Sequence, residues 1–210
     1  MSRDFLFLSV NKFPRQTIET ERLLLMPYQQ KYTGEYFTLI QKNKNRLKDS
    51  FPTILRSTTS EPDTHHFIQQ KIVDWNKNKA YAFLLFYKEN RQLIGHLNLK
   101  ALDWKKRQAE IAYFIDEDFV CRGLTSEAIL RVMQIVFNQL EFQRLFAKVI
   151  PSNKASVSVL EKCGLRYEGA FFSDFTTYDH QQTDTNCYGI TRDVFLRQKN
   201  NFNPPSKTHR

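Results

Sequence analysis

The chain has 210 residues, 41% apolar and 25% charged, with 6 Gly and 7 Pro, which excludes collagen-like and low-complexity classes and favours one domain. Its 18 Phe and 9 Tyr exclude a disordered chain. Lys and Arg number 31 against 22 Asp and Glu, a formal charge of +9, and setting aside Arg197, Lys199, Lys207 and Arg210 leaves 9 − 4 = +5 for the body.

Residues 1–17 are read as an extension; the apolar stretch Phe5–Val10 is shorter than a signal-peptide core and no small-residue cleavage site follows it. Ile18–Tyr28 reads as a strand stopped by Pro27, and Lys31–Lys44, with Tyr36, Phe37, Leu39 and Ile40, as a helix. Phe51–Pro62, with two prolines and a Ser/Thr cluster, reads as a loop, and Thr64–Asn78 as a helix capped by Thr64. Ala80–Lys88, Gln92–Leu102 and Gln108–Ile115 are strands with short links, an antiparallel meander. Gly123–Leu140 carries Leu124, Ala128, Val132, Ile135, Val136 and Leu140 along one helical stripe. Arg144–Ile150 is a strand stopped by Pro151, and Ser152–Cys163 a helix with Gly164 as its C-cap. Leu165–Phe172 and Cys187–Phe195 complete the sheet, and residues 197–210 are expected to form a basic flexible tail.

The expected fold is a single mixed α/β (α+β) domain over residues 18–196. Its mostly antiparallel sheet has about seven strands flanked by helices, with a right-handed crossover. No window reaches the roughly 18 apolar residues of a membrane span, and a cytoplasmic protein is expected. Cys121, Cys163 and Cys187 are too scattered for a disulfide framework or a zinc site, and the five histidines add no ligand spacing, so no metal is expected. The basic body suits an anionic ligand or is a solubility bias. No Arg/Lys block interleaved with stacking aromatics marks a nucleic-acid surface.

Chemistry concentrates at Ala109–Ala128, AEIAYFIDEDFVCRGLTSEA, where a strand passes through a short loop into a long helix with Gly123 at its start. The first N–H groups of that helix lack internal partners and its dipole adds positive potential, so the junction reads as a phosphate site assisted by Arg122, or as an ordinary cap.

Taken with TERLLL (Thr20–Leu25), AEIAYFI (Ala109–Ile115), CRGLTSEA (Cys121–Ala128) and PSNKASVSVLEKCGLRYEG (Pro151–Gly169), the chain resembles the GNAT acetyltransferase superfamily. Within it, the resemblance is to the branch that includes the ribosomal-protein N-terminal acetyltransferases, over residues 18–195. It implies acetyl-CoA as co-substrate, with the pyrophosphate on backbone amides of the loop. It also implies a V-shaped splay between Gln108–Ile115 and Arg144–Ile150 that takes the pantetheine arm. The cofactor-binding residues it implies are Ile115, Val120, Cys121, Arg122, Gly123, Leu124, Thr125 and Asn153. The family loop reads Gln/Arg-x-x-Gly-x-Gly/Ala. Here Val120 replaces the polar first position, Thr125 the small last one, and Cys121 stands where the branch commonly has a further Gly.

Acyl transfer needs a neutral amine, and an α-amine, with a pKa of about 8, needs less help than a Lys amine at about 10.4. Glu110 is the best-placed general base, or else an exposed strand carboxylate; Asp174 is the second candidate, or a turn residue. The Tyr that many GNAT enzymes use to protonate the leaving thiolate is Leu160 here. Ser156 then serves as donor, or bonds the helix N-terminus. Asn153 orients the pantetheine arm, caps the helix, or does both, and a backbone N–H from Ile111–Phe114 would polarise the thioester carbonyl. A nucleophilic role for Cys121 at a helix start lacks an adjacent His, and the resemblance implies direct transfer. Phe51, Tyr81, Phe83, Phe171, Phe172 and Phe175 line an acceptor cleft or belong to the core.

The leading expectation is an acetyl-CoA-dependent N-acetyltransferase acting on a protein N-terminus or a small amine. The alternative is a noncatalytic acyl-CoA-binding or RNA/ribosome-associated module on the same fold. A homodimer is left open, and no membrane or nucleic-acid partner is expected.

Overall fold

Period-2 alternation organises the molecule, seen in a computed structural model that describes Phe13 and residues 15–202. In chain order the strands and helices begin with β1 (Ile18–Glu19), β2 (Leu23–Pro27), α1 (Thr33–Lys42), α2 (Lys44–Leu47), α3 (Pro52–Arg56) and α4 (Glu61–Asn76). The meander β3 (Tyr81–Tyr87), β4 (Leu93–Asp103) and β5 (Gln108–Ile115) follows, then α5 (Leu124–Asn138), β6 (Arg144–Val149) and α6 (Lys154–Lys162). The chain then runs through β7 (Arg166–Thr176), β8 (Gln182–Thr191) and α7 (Arg192–Phe202). The eight strands form one sheet in the order β1-β2-β3-β4-β5-β6-β8-β7, antiparallel except for the β5–β6 pair.

Leu23, Leu25, Phe83, Leu85, Leu97, Leu99 and Ile111 face α5, where Ala128, Ile129, Val132 and Val136 close the larger core. Their neighbours Leu24, Ala82, Leu84, Phe86 and Phe114 face the opposite way, against Tyr36, Ile40, Phe67 and Ile68 of α1 and α4. β2 and β3 are therefore covered on both faces, and read as continuous apolar runs for that reason. Each fully buried aliphatic or Phe side chain contributes roughly 1.5–3 kcal/mol, so both faces are firmly anchored.

Several expectations are corrected here. Phe51–Pro62 is not all loop: Pro52 opens α3, since a proline in the first turn forfeits no helical hydrogen bond. The cap of α4 is Ser60, whose side chain accepts from the Asp63 N–H, rather than Thr64; Thr64 donates its hydroxyl to the Ser60 carbonyl. β7 and β8 are longer than expected at their facing ends and join at 177–181. The stretch expected as strand to Phe195 turns helical at Arg192. Residues 203–210 of the expected tail lie outside the described residues, as do residues 1–12, including Phe5–Val10.

β7 is the outer strand, with most of its residues exposed; Phe172 is 80% exposed and Phe171 45%. Its pairing with β8 breaks register twice, between Tyr167 and Gly169 and between Phe171 and Phe175, and Ser173 has a φ of +51°.

Candidate functional site

β5 and β6 pair at Gln108–Arg144, Ala109–Leu145 and Glu110–Phe146, and there the ladder ends although both strands continue. The parting strands leave the V-shaped gap. Two cavities meet at it, one of about 410 Å³ and one of about 310 Å³, sharing Ser50, Phe51, Tyr113, Asn153 and Ser156 in their walls.

The smaller cavity holds the loop before α5. Ile115, Val120, Cys121, Gly123, Leu124, Thr125 and Asn153 all line it, whereas Arg122 does not. The Arg122 guanidinium lies over the Phe119 ring, 4.9 Å from its centroid. Gly123 caps α5 at φ +75° and makes no side-chain cap hydrogen bond, so among the described residues the leading N–H groups stay available. A Cβ at Gly123 would stand 3.7 Å from Arg22 Nη2 and 3.9 Å from Lys162 Nζ. Two cations that the sequence alone did not single out thus flank the helix start.

Arg22 is fixed by Glu127 in the first turn of α5: its backbone N–H donates at 2.8 Å and its Nε–H at 2.7 Å. It also donates from Nη1 to the Arg122 carbonyl at 3.0 Å, clamping the loop. Burial pushes the Glu127 carboxyl up, but hydrogen bonds from Thr20 and Arg22 outweigh it and hold the group below its ordinary range. The cradle, N–H groups plus Arg22 and Lys162, fits a polyphosphate. Asp116, just before the loop, is 2% exposed, bound by Lys42 at 2.8 Å, and caps the turn at Asp118 N–H.

Cys121 is exposed and has a φ of +59°, a left-handed conformation that costs a non-glycine residue roughly 1–2 kcal/mol. Among the described residues no histidine lines its cavity to activate the thiol. Burial pushes the Cys163 thiol up to about 11, which makes it inert. Cys121→Val, β-branched at a positive φ, should weaken binding of acetyl-CoA about tenfold in a calorimetric titration, while Cys121→Gly should match or exceed the parent. Equal affinity in all three proteins would dissociate the loop backbone from ligand binding.

The larger cavity is lined by the face of β4 and β5 turned away from α5. Register places Lys100 opposite Glu110 and Asn98 opposite Ala112, so their side chains share that face. Glu110 is mostly buried, and its Oε1 lies 3.0 Å from Lys100 Nζ. Asp174 is less free to act as a base. Its Oδ2 lies 2.6 Å from Lys148 Nζ and its Oδ1 accepts from the Thr185 hydroxyl at 2.6 Å. Burial raises that carboxyl, yet Lys148 and Thr185 prevail and hold it low.

Where the cavities join, Asn153 caps α6 by accepting the Ser156 N–H at 3.1 Å and donates its Nδ2–H to Ser50 Oγ at 3.3 Å. Ser156 lies in the first turn, with its residue lining both cavities. Tyr113 donates its hydroxyl to the Ser156 carbonyl at 3.2 Å, and burial raises its pKa. Tyr113 shares the core-facing side of β5 with Ala109 and Ile111, so strand alternation marks it as core and gives no sign of its hydroxyl at the junction. Of the aromatics considered for the cleft, Phe51 and Phe175 line it, Tyr81 and Phe83 are core, and Phe171 and Phe172 are exposed.

Comparison with known proteins gives the same architecture. An E. coli ribosomal-protein-serine acetyltransferase is 26% identical over 152 residues, 71% of this chain and 82% of that one. The probable N-acetyltransferase YjcK of Bacillus subtilis is 34% identical over 94 residues, 44% of this chain and 52% of its own. The chain spans just over half the length of YjcK and of the other curated relatives matched with it, at 52% to 59%. A solved ribosomal L7/L12 α-N-protein acetyltransferase in complex with coenzyme A superposes with a TM-score of 0.78 at 22% identity, covering 85% of this chain and 99% of that one. The microcin C7 self-immunity acetyltransferase MccE, solved with acetyl-CoA and AMP, gives 0.75 at 24% identity, covering 87% and 99%. These structures share the fold. A model of the acetyltransferase (GNAT) domain matches residues 22–166, from the arginine that clamps the loop to the first residue of β7, and the chain belongs to that family.

Proposed function

We propose that this protein is an N-acetyltransferase that moves the acetyl group of acetyl-CoA directly to a primary amine, with a protein N-terminal α-amine as the leading acceptor. The observation that carries the reading is the meeting of a phosphate cradle and a carboxylate-bearing cavity at one gap, with Ser156 and Tyr113 in the shared wall. The residues present fit acetyl-CoA. Gly123 leaves room at the helix start, Arg22 and Lys162 supply positive charge, and the β5 backbone beyond Glu110 has no ladder partner in β6. The family and its relatives, which include a ribosomal-protein-serine acetyltransferase and structures holding CoA or acetyl-CoA, support the same co-substrate.

The amine nitrogen bonds to the thioester carbonyl carbon, the C–S bond breaks, and one proton leaves nitrogen while one reaches sulfur. Glu110 takes the first, directly or through water, and the Ser156 hydroxyl passes the second to sulfur, directly or through water, as it takes a proton back from solvent. The α-amine is favoured because it is partly neutral near pH 7–8, whereas a Lys amine is almost wholly protonated there.

Free-thiol release across peptide N-termini, polyamines and aminoglycosides tests the reading. With a competent acceptor, Ser156→Ala should lower kcat by about 10²-fold with KM within a few-fold. Acetyl-CoA binding with no thiol released from any amine would favour a noncatalytic acyl-CoA-binding module.

A further inference from the structure

We propose that the acceptor carries an anionic group beside its amine, that Lys71 is the residue that takes this group, and that Asn98 Oδ1 receives a hydrogen of the amine. The inference rests on the transfer reading of the same cavity and names its acceptor class: an amine with a carboxylate or comparable anion in the same molecule.

Charge pairing within the larger cavity leads to it. Three lysines, Lys71, Lys100 and Lys148, and two carboxylates, Glu110 and Asp174, line the walls. Lys100 is matched to Glu110 at 3.0 Å and Lys148 to Asp174 at 2.6 Å. His96 adds no charge: it is 2% exposed, its Nδ1 lies 2.6 Å from the Tyr28 hydroxyl, and burial together with Lys71 and Lys100 holds it neutral. One positive charge is left over, on Lys71.

Lys71 projects from α4 with its ammonium 4.9 Å from the centroid of the Phe67 ring, and it forms no ion pair among the described residues. Burial, helped by the nearby Lys100 charge, lowers the pKa of its ammonium from the ordinary lysine value, and Asp74, one turn along α4, counters this from a distance without pairing. A partly desolvated ammonium without a carboxylate gains more from a bound anion than a hydrated surface lysine does. Asn98 is the complementary signal. It is 6% exposed, lines the same cavity, and its Oδ1 has no hydrogen-bond partner among the described residues. A buried carbonyl oxygen left unpaired is destabilising, and an amine N–H satisfies it. Asn98 and Glu110 share one sheet face, so an amine between them can donate to both. Polyamines and aminoglycosides bring several positive charges to walls that already carry one in excess, and should be poor acceptors.

The test compares amidated peptides beginning Ser-Glu and Ser-Gln, free serine against serinamide, and spermidine, all with saturating acetyl-CoA. Thiol release should give the acidic member of at least one pair a kcat/KM tenfold or more above its neutral partner, with spermidine slowest. The peptide pair reports a protein N-terminus and the serine pair a small metabolite. Lys71→Met should erase the preference without slowing the neutral acceptors, and Lys71→Arg should retain most of it. Titration of the same ligands into the CoA-loaded protein reads the preference without turnover. A Lys71→Met protein that binds acetyl-CoA normally yet keeps the acidic preference overturns the proposal, as do equal acidic and neutral affinities in the parent. Selective binding of the acidic ligand with no thiol release from acetyl-CoA would sink the transfer reading instead, and leave the anion subsite standing.

Discussion

Glu110→Gln should lower kcat at pH 7 by about 10²–10⁴ while acetyl-CoA binds as it does to the parent, because the change removes a proton acceptor and preserves the shape of the side chain. The glutamine carbonyl can still receive the Lys100 ammonium, which sits 3.0 Å from Glu110 Oε1, so the strand pair need not rearrange. The defect should shrink as pH rises through the acceptor's own pKa, since solvent then supplies the neutral amine. An α-amine should recover by about pH 8–9 and a Lys amine should still lag there, so the titration separates the two acceptor classes. Asp174 offers no substitute base, both its oxygens being engaged by Lys148 and Thr185. Full activity of Glu110→Gln at neutral pH would refute the base assignment. Loss of acetyl-CoA binding would make Glu110 a structural residue.

Gly123→Glu should abolish the rise in melting temperature that acetyl-CoA confers. A ligand at a hundred times its Kd stabilises the native state by about 2.7 kcal/mol, a shift of several degrees for a domain of this size. The glutamate brings a negative charge to the mouth of the cradle, between Arg22 and Lys162, where its carboxylate competes with the phosphates. It also imposes a side chain on a φ of +75°. Gly123→Ala separates the two effects. Its Cβ would meet Arg22 and Lys162 only at ordinary contact distances of 3.7 and 3.9 Å, so it should pay for the backbone alone, about 1–2 kcal/mol. An unchanged shift with the glutamate variant would remove the phosphate assignment from this loop.

The residues legible in the sequence were those whose role is local. The loop before α5 and the Asn153–Ser156 cap each occupy only a few consecutive positions, and the resemblance of these short motifs to the family brought them out. The meander and the α5 stripe were equally plain, because alternation and helical periodicity repeat over eleven or more residues in β4 and α5. α3 escaped because Pro52 and the following Ser/Thr cluster look like loop chemistry, and five residues carry too little periodicity to contradict them. The second half of the site was illegible for a different reason. Arg22 reaches Glu127 across 105 positions, and Asn153 reaches Ser50 across 103. Lys71 joins Lys100 and Glu110 only after α4 folds over the sheet. No window in the sequence contains such pairs, so the added cations and the shared wall of the two cavities emerge only from the tertiary arrangement.

The two register breaks in β7 bear on how the sheet ends. An outermost strand offers a free row of N–H and C=O groups, which in a long, even strand would template a strand from another molecule and grow into a fibre. β7 is eleven residues long and carries two exposed phenylalanines, Phe171 and Phe172, so the hazard is present in its composition. The breaks after Tyr167 and after Phe171, with Ser173 in the left-handed region, put successive stretches of the strand out of step. An incoming straight strand could match one stretch but not the next. The irregularity therefore works against strand addition at this edge while leaving the last strand long enough to carry Asp174 and Phe175 to the wall of the larger cavity.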